Sequence, residues 1–328
     1  MAPLAFGKSV FTKTAAAAAA GAEFGFVTGT HGDGSLSGHG SMRVRPNAGS
    51  TKFSDAADIS IVIWFRALLG DFVTNEFGML MQGTANSSPS REVELFINAH
   101  RDGGNDSNEH SINLFCKYSG GSRTISSFAS GNDFFTSNSD FDSKVLDGNW
   151  HQVAACFARA DSDRHLRLDG VDIKRSAASG AGGNVTGNIN LSADSYSGGT
   201  PQLDTGGSDN GFTFNFSHFQ GSFGAGAAFD IGPVWIYDSQ IDFSNSSVMG
   251  QYYNDSNTDG YVTAGSDGQT GGAAEAELFM TTDGSSMSNG GRLGTVTFHS
   301  VTDTGGTVTQ SDSTNGPGSG DTRSSANT

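Results

Sequence analysis

The nine residues HLRLDGVDI, from His165 to Ile173, constrain this chain more tightly than any other stretch. Asp169-Gly170 is the kind of dipeptide that a two-residue type I′ turn demands, because both central positions of that turn need positive φ. The turn sets Leu168 opposite Val171, Arg167 opposite Asp172, Leu166 opposite Ile173 and His165 opposite Lys174. Leu166, Leu168, Val171 and Ile173 then share one face. On the other face Arg167 and Asp172 form an opposite-charge pair, worth ~0.2–1 kcal/mol. A slip of one residue would turn the apolar set into water, so turn chemistry and side-chain period fix the same register.

Period-two patterning recurs along the chain. ISIVIWFRA at 59–67 is β-branched and aromatic, as a central strand requires, and FGMLMQG at 77–83 is a shorter strand. EVELFINA at 92–99 turns Val93, Leu95 and Ile97 inward; HSINLFCKYS at 110–119 does the same with Ile112, Leu114 and Cys116. Residues 120–144 read as a long connection with one strand near TISSFA. The strand from Trp150 to Phe157 is apolar on both faces, which places it near a sheet centre. NINLSAD at 188–194 and FTFNFSHFQG at 212–221 follow, the latter shifting phase at Phe219 as a bulge or bend would. In FDIGPVWIYD at 229–238, Pro233 predicts an edge or initial position. Ser244 then caps a short helix carrying Val248, Met249 and Tyr252. AEAELFMTTD at 274–283 and LGTVTFHSVTDTGGTVTQ at 293–310 supply more strands, and SDSTNGPGSGDTRSSANT reads as tail or surface polypeptide.

Composition limits what these strands can serve. With 47 Gly and 35% hydrophobic residues in 328 the chain is loop-rich, and its 24 Phe supply the material for a β interior. A formal charge of −16 argues against a broad nucleic-acid-binding face, which must offset phosphates. No segment has the length and hydrophobicity of a bilayer-spanning helix, so membrane insertion is not expected. Residues 1–24, with Lys8, Lys13 and an alanine run, read as a short helix or an arm that orders on assembly, not as a secretory signal. Cys116 and Cys156, each in an apolar run, are read as buried free thiols; a single bridge is the alternative if their strands are neighbours.

The order of these elements resembles the laminin-G-like, or concanavalin-A-like lectin and glucanase, family. DGNWHQVAACF at 147–157 is similar to the family strand opened by Asp-Gly, Trp and His, and HLRLDGVDI to the hairpin that follows it. DISIVIWFRA at 58–67 resembles the apolar strand containing Trp, and IGPVWIYDSQIDFS at 231–244 the closing strand and short helix. The resemblance implies an all-β fold, an antiparallel two-sheet jelly-roll sandwich. It would span residues 25–255, with an N-terminal arm at 1–24 and a C-terminal β-rich extension and tail at 256–328. Trp150 would be a core anchor and His151 structural. Residues 252–284 also resemble the C-terminal part of laminin-G-like proteins encoded by tailed phages, which are often virion components.

Residue chemistry points away from catalysis. Retaining glycosidases need two carboxylates about 5–5.5 Å apart, and Glu92-Val-Glu94 is the nearest candidate, but it lacks the third carboxylate of the glucanase motif. Its two acids are expected on a solvated face opposite Val93 and Leu95. No nucleophile elbow, phosphate loop or zinc motif is present. His31, His39 and Asp33 lie in a glycine-rich loop, and His110, His165, His218 and His299 are isolated and flank strands. No catalytic or cofactor-binding residue is therefore assigned. The acidic loops Asp102–Asp106, Asp140–Asp142 and Asp204–Asp209 could hold calcium, since hard cations take oxygen shells and laminin-G-like domains frequently bind it; no metal ligand is assigned. A glycan groove would use Trp235, Tyr237 and Tyr196. The resulting expectation is a virion structural protein, a capsid decoration or fibre-associated component that assembles in host cytoplasm. Its partners would be other virion proteins, such as the major capsid or a tail protein, and further copies of itself. A lectin-like adhesion module is the alternative, and a glycoside hydrolase the third.

Overall fold

The structure is a computed structural model that describes residues 26–28, 40–46, 58–72, 76–85, 90–99, 110–118, 121–127, 134–175, 183–186, 189, 213–216, 230–262, 275–282, 287–289, 292, 296–302, 308–310, 317–318 and 322–323. The arm at 1–24, the loops Asp102–Asp106 and Asp204–Asp209, and His31, Asp33, His39, Tyr196, His218 and Phe219 lie outside those residues. In chain order the elements are β1 Phe26–Thr28, β2 Gly40–Pro46, β3 Ile59–Arg66, β4 Glu76–Ala85, β5 Ser90–Ala99, β6 Ser111–Tyr118, β7 Gly121–Ser126 and α1 Asn138–Val145. There follow β8 His151–Phe157, β9 His165–Leu168, β10 Val171–Asp172, β11 Thr213–Phe216, β12 Asp230–Tyr237 and α2 Ser246–Met249. The last are β13 Leu278–Thr282, β14 Met287–Asn289, β15 Val296–Thr302 and β16 Val308–Gln310.

Every strand pair is antiparallel, and the strands form two sheets. One runs β10-β9-β8-β3-β12-β1-β16, with β13 and β14 added beside β12; the other runs β15-β2-β11-β4-β5-β6-β7. Between them lies a core to which the first sheet gives Ile59, Ile61, Ile63, Phe65, Val153, Ala155 and Phe157. Val44, Leu80, Val93, Leu95, Ile97, Ile112, Leu114 and Cys116 meet them from the second. This is an antiparallel two-sheet jelly-roll sandwich.

The alternate residues of the first sheet bury a second aromatic core on its outer face. Val62 and Trp64 of β3, Ala154 and Cys156 of β8, Trp235 and Tyr237 of β12 and Phe279 of β13 pack under Phe243, Met249, Tyr252 and Tyr261. Burial on both faces is why β3, β8 and β12 read as continuous apolar runs without strict alternation. Trp150 is buried as a core anchor, but it belongs to this outer layer and not to the interior between the sheets.

The hairpin forms in the expected register. Val171 pairs with Leu168 and Asp172 with Arg167, while Asp169 (φ 49°) and Gly170 (φ 75°) supply the positive-φ turn. Two details differ. Leu166, Leu168 and Ile173 are buried, whereas Val171 is 47% exposed, because β10 is the outermost strand and reaches past its cover. Arg167 donates to the Gly170 carbonyl at 2.7 Å, and Asp172 accepts from the Lys174 N–H at 2.9 Å, so the two charges serve the turn instead of each other.

Pro233 is not at an edge. β12 lies inside its sheet, and its register against β3 shifts between Ile231 and Val234. On its other side β1 pairs only as far as Ile231 and β13 begins at Val234. Gly232-Pro233 therefore fills a bulge where neither neighbour requires the N–H that proline lacks. The helix cap also moves by one residue: Asn245 accepts from the Ser247 N–H, while Ser244 donates to Asp242. The connection at 120–144 contains α1, capped by Ser137 and burying Phe141 and Val145.

Residues after 256 enter both sheets: β13 pairs with β12, β16 with β1, and β15 runs along β2 from Val296↔Pro46 to Thr302↔Gly40. The final stretch is not merely surface polypeptide, since Pro317 is buried and the Arg323 side chain is only 9% exposed.

Cys116 and Cys156 are both free and buried. They belong to different sheets, Cys116 on β6 of the second facing the inter-sheet core and Cys156 on β8 of the first facing the outer one, so the bridge alternative is not realised. Burial raises both thiols, Cys156 to about 12. A thiol reagent such as Ellman's is expected to label neither cysteine in the native protein and both after unfolding; rapid native labelling would contradict this packing.

Candidate functional site

Where β3 ends and β8 begins, two ionic clusters adjoin. The first surrounds His151. Its Nδ1 lies 2.7 Å from Asp169 and its Nε2 3.0 Å from Asp147. Both acids belong to Asp-Gly dipeptides, one preceding β8 and one in the hairpin turn, so two turns on neighbouring strands converge on one imidazole. Asp169 also accepts from the Gln152 N–H at 2.8 Å, and Asp147 from the Asn149 N–H at 2.8 Å. Burial alone would lower the His151 pKa, but Asp169 and Asp147 outweigh it and raise the group to about 10. Burial likewise opposes ionisation of Asp147, yet its bonds to His151 and Asn149 hold it below the usual carboxylate range. With both ring nitrogens facing carboxylates, His151 is a fixed imidazolium and a poor general base.

The second cluster is built from Arg66 at the end of β3, Asp71 in the turn that follows, Asp230 at the start of β12 and Arg323. Arg66 Nε donates to Asp230 Oδ2 at 2.6 Å, and Arg323 Nη1 to Asp230 Oδ1 at 2.8 Å. Arg323 Nη2 pairs with Asp71, which also accepts from the Leu68 N–H at 2.6 Å. The Arg66 guanidinium lies 5.0 Å from the centre of the Trp150 ring. Burial, with Arg66 nearby, lowers Arg323 to about 10.

Gly148 joins the two clusters. Its N–H donates to the Ala67 carbonyl and its carbonyl accepts from the Arg323 N–H. It sits at φ +84°, and a Cβ there would come within 2.0 Å of the Arg323 carbonyl oxygen. Gly148→Ala is expected to cost at least ~1–2 kcal/mol from the backbone alone, with a further loss from displacing Arg323. Chemical denaturation measures it, and an unchanged midpoint would contradict the contact.

The other candidates are placed as follows. Glu94 is buried, not solvated, on a strand paired on both sides, with β4 and with β6. The Glu92 side chain lies outside the described residues. His110 bonds Asp142 at 2.6 Å, and Asp140 accepts from Lys144 and the Thr136 N–H, so the Asp140–Asp142 acids support α1. His165 lies 3.3 Å from Asp242, and His299 is on β15. Among the described residues no group of three or more His, Cys, Asp or Glu is placed to hold a metal ion. Among those residues, too, no helix is long and apolar enough to cross a membrane. Trp235 and Tyr237 are fully buried, and the Tyr237 hydroxyl is 2.7 Å from that of Tyr252, so neither ring lines a groove.

Sequence reasoning did not find Arg66, Asp71, Asp230 and Arg323. Their contacts span 93 and 164 residues, and no local spacing reports them. Asp147 and Asp169 were visible as turn residues, but not as partners of His151.

No protein-family model and no characterised protein sequence matches the chain. Among solved structures it is similar to the heptameric SAP-like pentraxin of Limulus polyphemus, at 10% identity and a TM-score of 0.42, over 86% of this chain and 96% of the pentraxin. It is also similar to domains LG4-5 of the mouse laminin alpha1 chain, at 15% identity and a TM-score of 0.35, over 74% of this chain and 49% of that one. A third is the full-length tailspike protein 2 of an Escherichia coli O157:H7 bacteriophage, at 10% identity and a TM-score of 0.36, over 68% of this chain and 26% of the tailspike. The jelly-roll assignment rests on the paired strands and the two sheets of this chain.

Proposed function

We propose that the chain is a non-enzymatic binding and assembly module, and specifically a structural virion protein of a tailed phage, decorating the capsid or associated with a fibre. The observation that carries this reading is that, among the described residues, two histidines able to do acid–base chemistry are committed to holding the sandwich together. His151 is held between Asp147 and Asp169, and His110 is bonded to Asp142. Such a frame suits a protein whose work is done by its outer surface. The resemblance of residues 252–284 to phage-encoded laminin-G-like proteins supports the virion assignment. So does the charge of −16, which favours solubility and disfavours non-specific contact. Its partners would be a capsid or tail protein and further copies of itself.

Burial of Trp235 and Tyr237 takes two of the three rings named for a glycan groove away from the surface, which favours protein contact over a lectin role; the third, Tyr196, lies outside the described residues. Mass spectrometry and electron cryomicroscopy of purified particles test this. The chain is expected at stoichiometric, symmetry-related positions on the virion, and a monomer absent from particles would overturn it.

A further inference from the structure

Among the described residues, three buried polar atoms of the outer face of the first sheet have no hydrogen-bond partner: Trp64 Nε1, Gln152 Oε1 and Arg167 Nε. Trp64 of β3 and Gln152 of β8 are directly paired and fully buried, and directly paired residues project to one face. Arg167 of β9 stands opposite Ala154, a member of the outer core two positions along β8 from Gln152. Its Nη1 donates to the Gly170 carbonyl at 2.7 Å, which runs the side chain back towards the hairpin turn. That turn is at the level of Gln152, whose carbonyl accepts from the Asp169 N–H at 2.9 Å.

The same cover closes over all three. The Tyr253 ring stacks on Trp64 with centroids 6.1 Å apart and lies against Gly170, where an added Cβ would come within 3.1 Å of it. The Tyr252 carbonyl accepts from Gln152 Nε2 at 2.6 Å. That bond also fixes the amide, because a carbonyl only accepts, so the nitrogen of Gln152 faces it and Oε1 faces the other way.

Indole and guanidinium N–H groups only donate and the amide oxygen only accepts, yet neither donor bonds Oε1. The set calls for a small molecule that accepts twice and donates once. A halide would accept from both donors but has no proton for Oε1, and ammonium has protons but no lone pair for the N–H groups. Water has both, and buried waters typically make about three bonds to polar groups that the protein leaves unpaired.

We propose that Trp64 Nε1, Gln152 Oε1 and Arg167 Nε form a site for one buried water, which accepts from the indole and the guanidinium, donates to the amide oxygen and ties β3, β8 and β9 together beneath Tyr253.

High-resolution crystallography of the full-length protein reads the site directly. One ordered water is expected within hydrogen-bond distance, at most ~3.2 Å, of all three atoms. Any other arrangement, whether a dry site, a water that misses one of the three or a direct bond to Oε1, overturns the proposal. In solution the Trp64 indole N–H should show a nuclear Overhauser cross-peak to water, with the sign of a long-lived bound molecule. The cross-peak should persist in Tyr253→Phe, which keeps the covering ring and removes a hydroxyl that could relay exchange with solvent. Absence of the cross-peak in the wild type, or its loss in Tyr253→Phe, would contradict a bound water.

Discussion

His151→Phe is expected to destabilise the protein by about 3–5 kcal/mol near neutral pH, the usual penalty for breaking a buried ion pair by removing one partner. Phe keeps a ring beside Phe65, whose centroid lies 6.0 Å from the imidazole, so the loss is chiefly electrostatic. Asp147 and Asp169 are 26% and 25% exposed, and their access to water sets the lower end of that range. The pH dependence gives the sign. The imidazole rises from 6.5 to about 10 on folding, so its contribution is complete below pH 6.5 and disappears as pH climbs through about 10. Urea titrations should therefore show the gap between wild type and variant wide near pH 6 and closing towards pH 10. Asp147 acts in the opposite direction. Its folded pKa lies below 3.8, so its contribution is full above that value and fades as pH falls beneath it. A gap that does not change with pH would show that His151 matters only as packing.

Trp235→Ala is the second large effect, expected to cost ~3–5 kcal/mol as a large aromatic removed from a closed core. Trp235 is fully buried, with ring centres 5.0 Å from Phe279 and 6.1 Å from Tyr252. It supports the layer that residues 241–261 lay over the first sheet. Denaturant midpoints and near-ultraviolet circular dichroism report the loss. An exposed glycan-stacking tryptophan would behave differently, since surface substitutions usually change stability by less than ~0.5 kcal/mol. The size of the effect thus separates a structural ring from a recognition surface.

What could be read in the sequence follows from how local each determinant is. The hairpin register was legible because Asp169-Gly170 dictates a turn and the turn dictates the pairing of Val171 with Leu168. The strands β3 and β8 were legible from their β-branched and aromatic content. Their second buried face was not, because an apolar run shows that both sides are covered without saying by what; the cover is Phe243, Met249, Tyr252 and Tyr261. Pro233 pointed to an edge, and the structure places it instead in an interior bulge, which spares the missing N–H just as an edge would. The helix α1 had a local signature in Ser137 capping Asp140, followed by Phe141 and Val145 four apart, inside a stretch whose polar composition resembled a loop. The ionic clusters had no such signature. Arg66, Asp230 and Arg323 meet only once the sheets and the final segment are assembled.

The His151 imidazole, held between Asp147 and Asp169, is a fixed charge that ties two turns to the frame, and the most direct test is the ionisation of that ring. Nitrogen-15 NMR of the full-length protein should find the His151 imidazole doubly protonated through neutral and mildly alkaline pH, titrating only near 10. Titration near 6.5, the value of an unconstrained histidine, would contradict the account and leave His151 able to act as a general base.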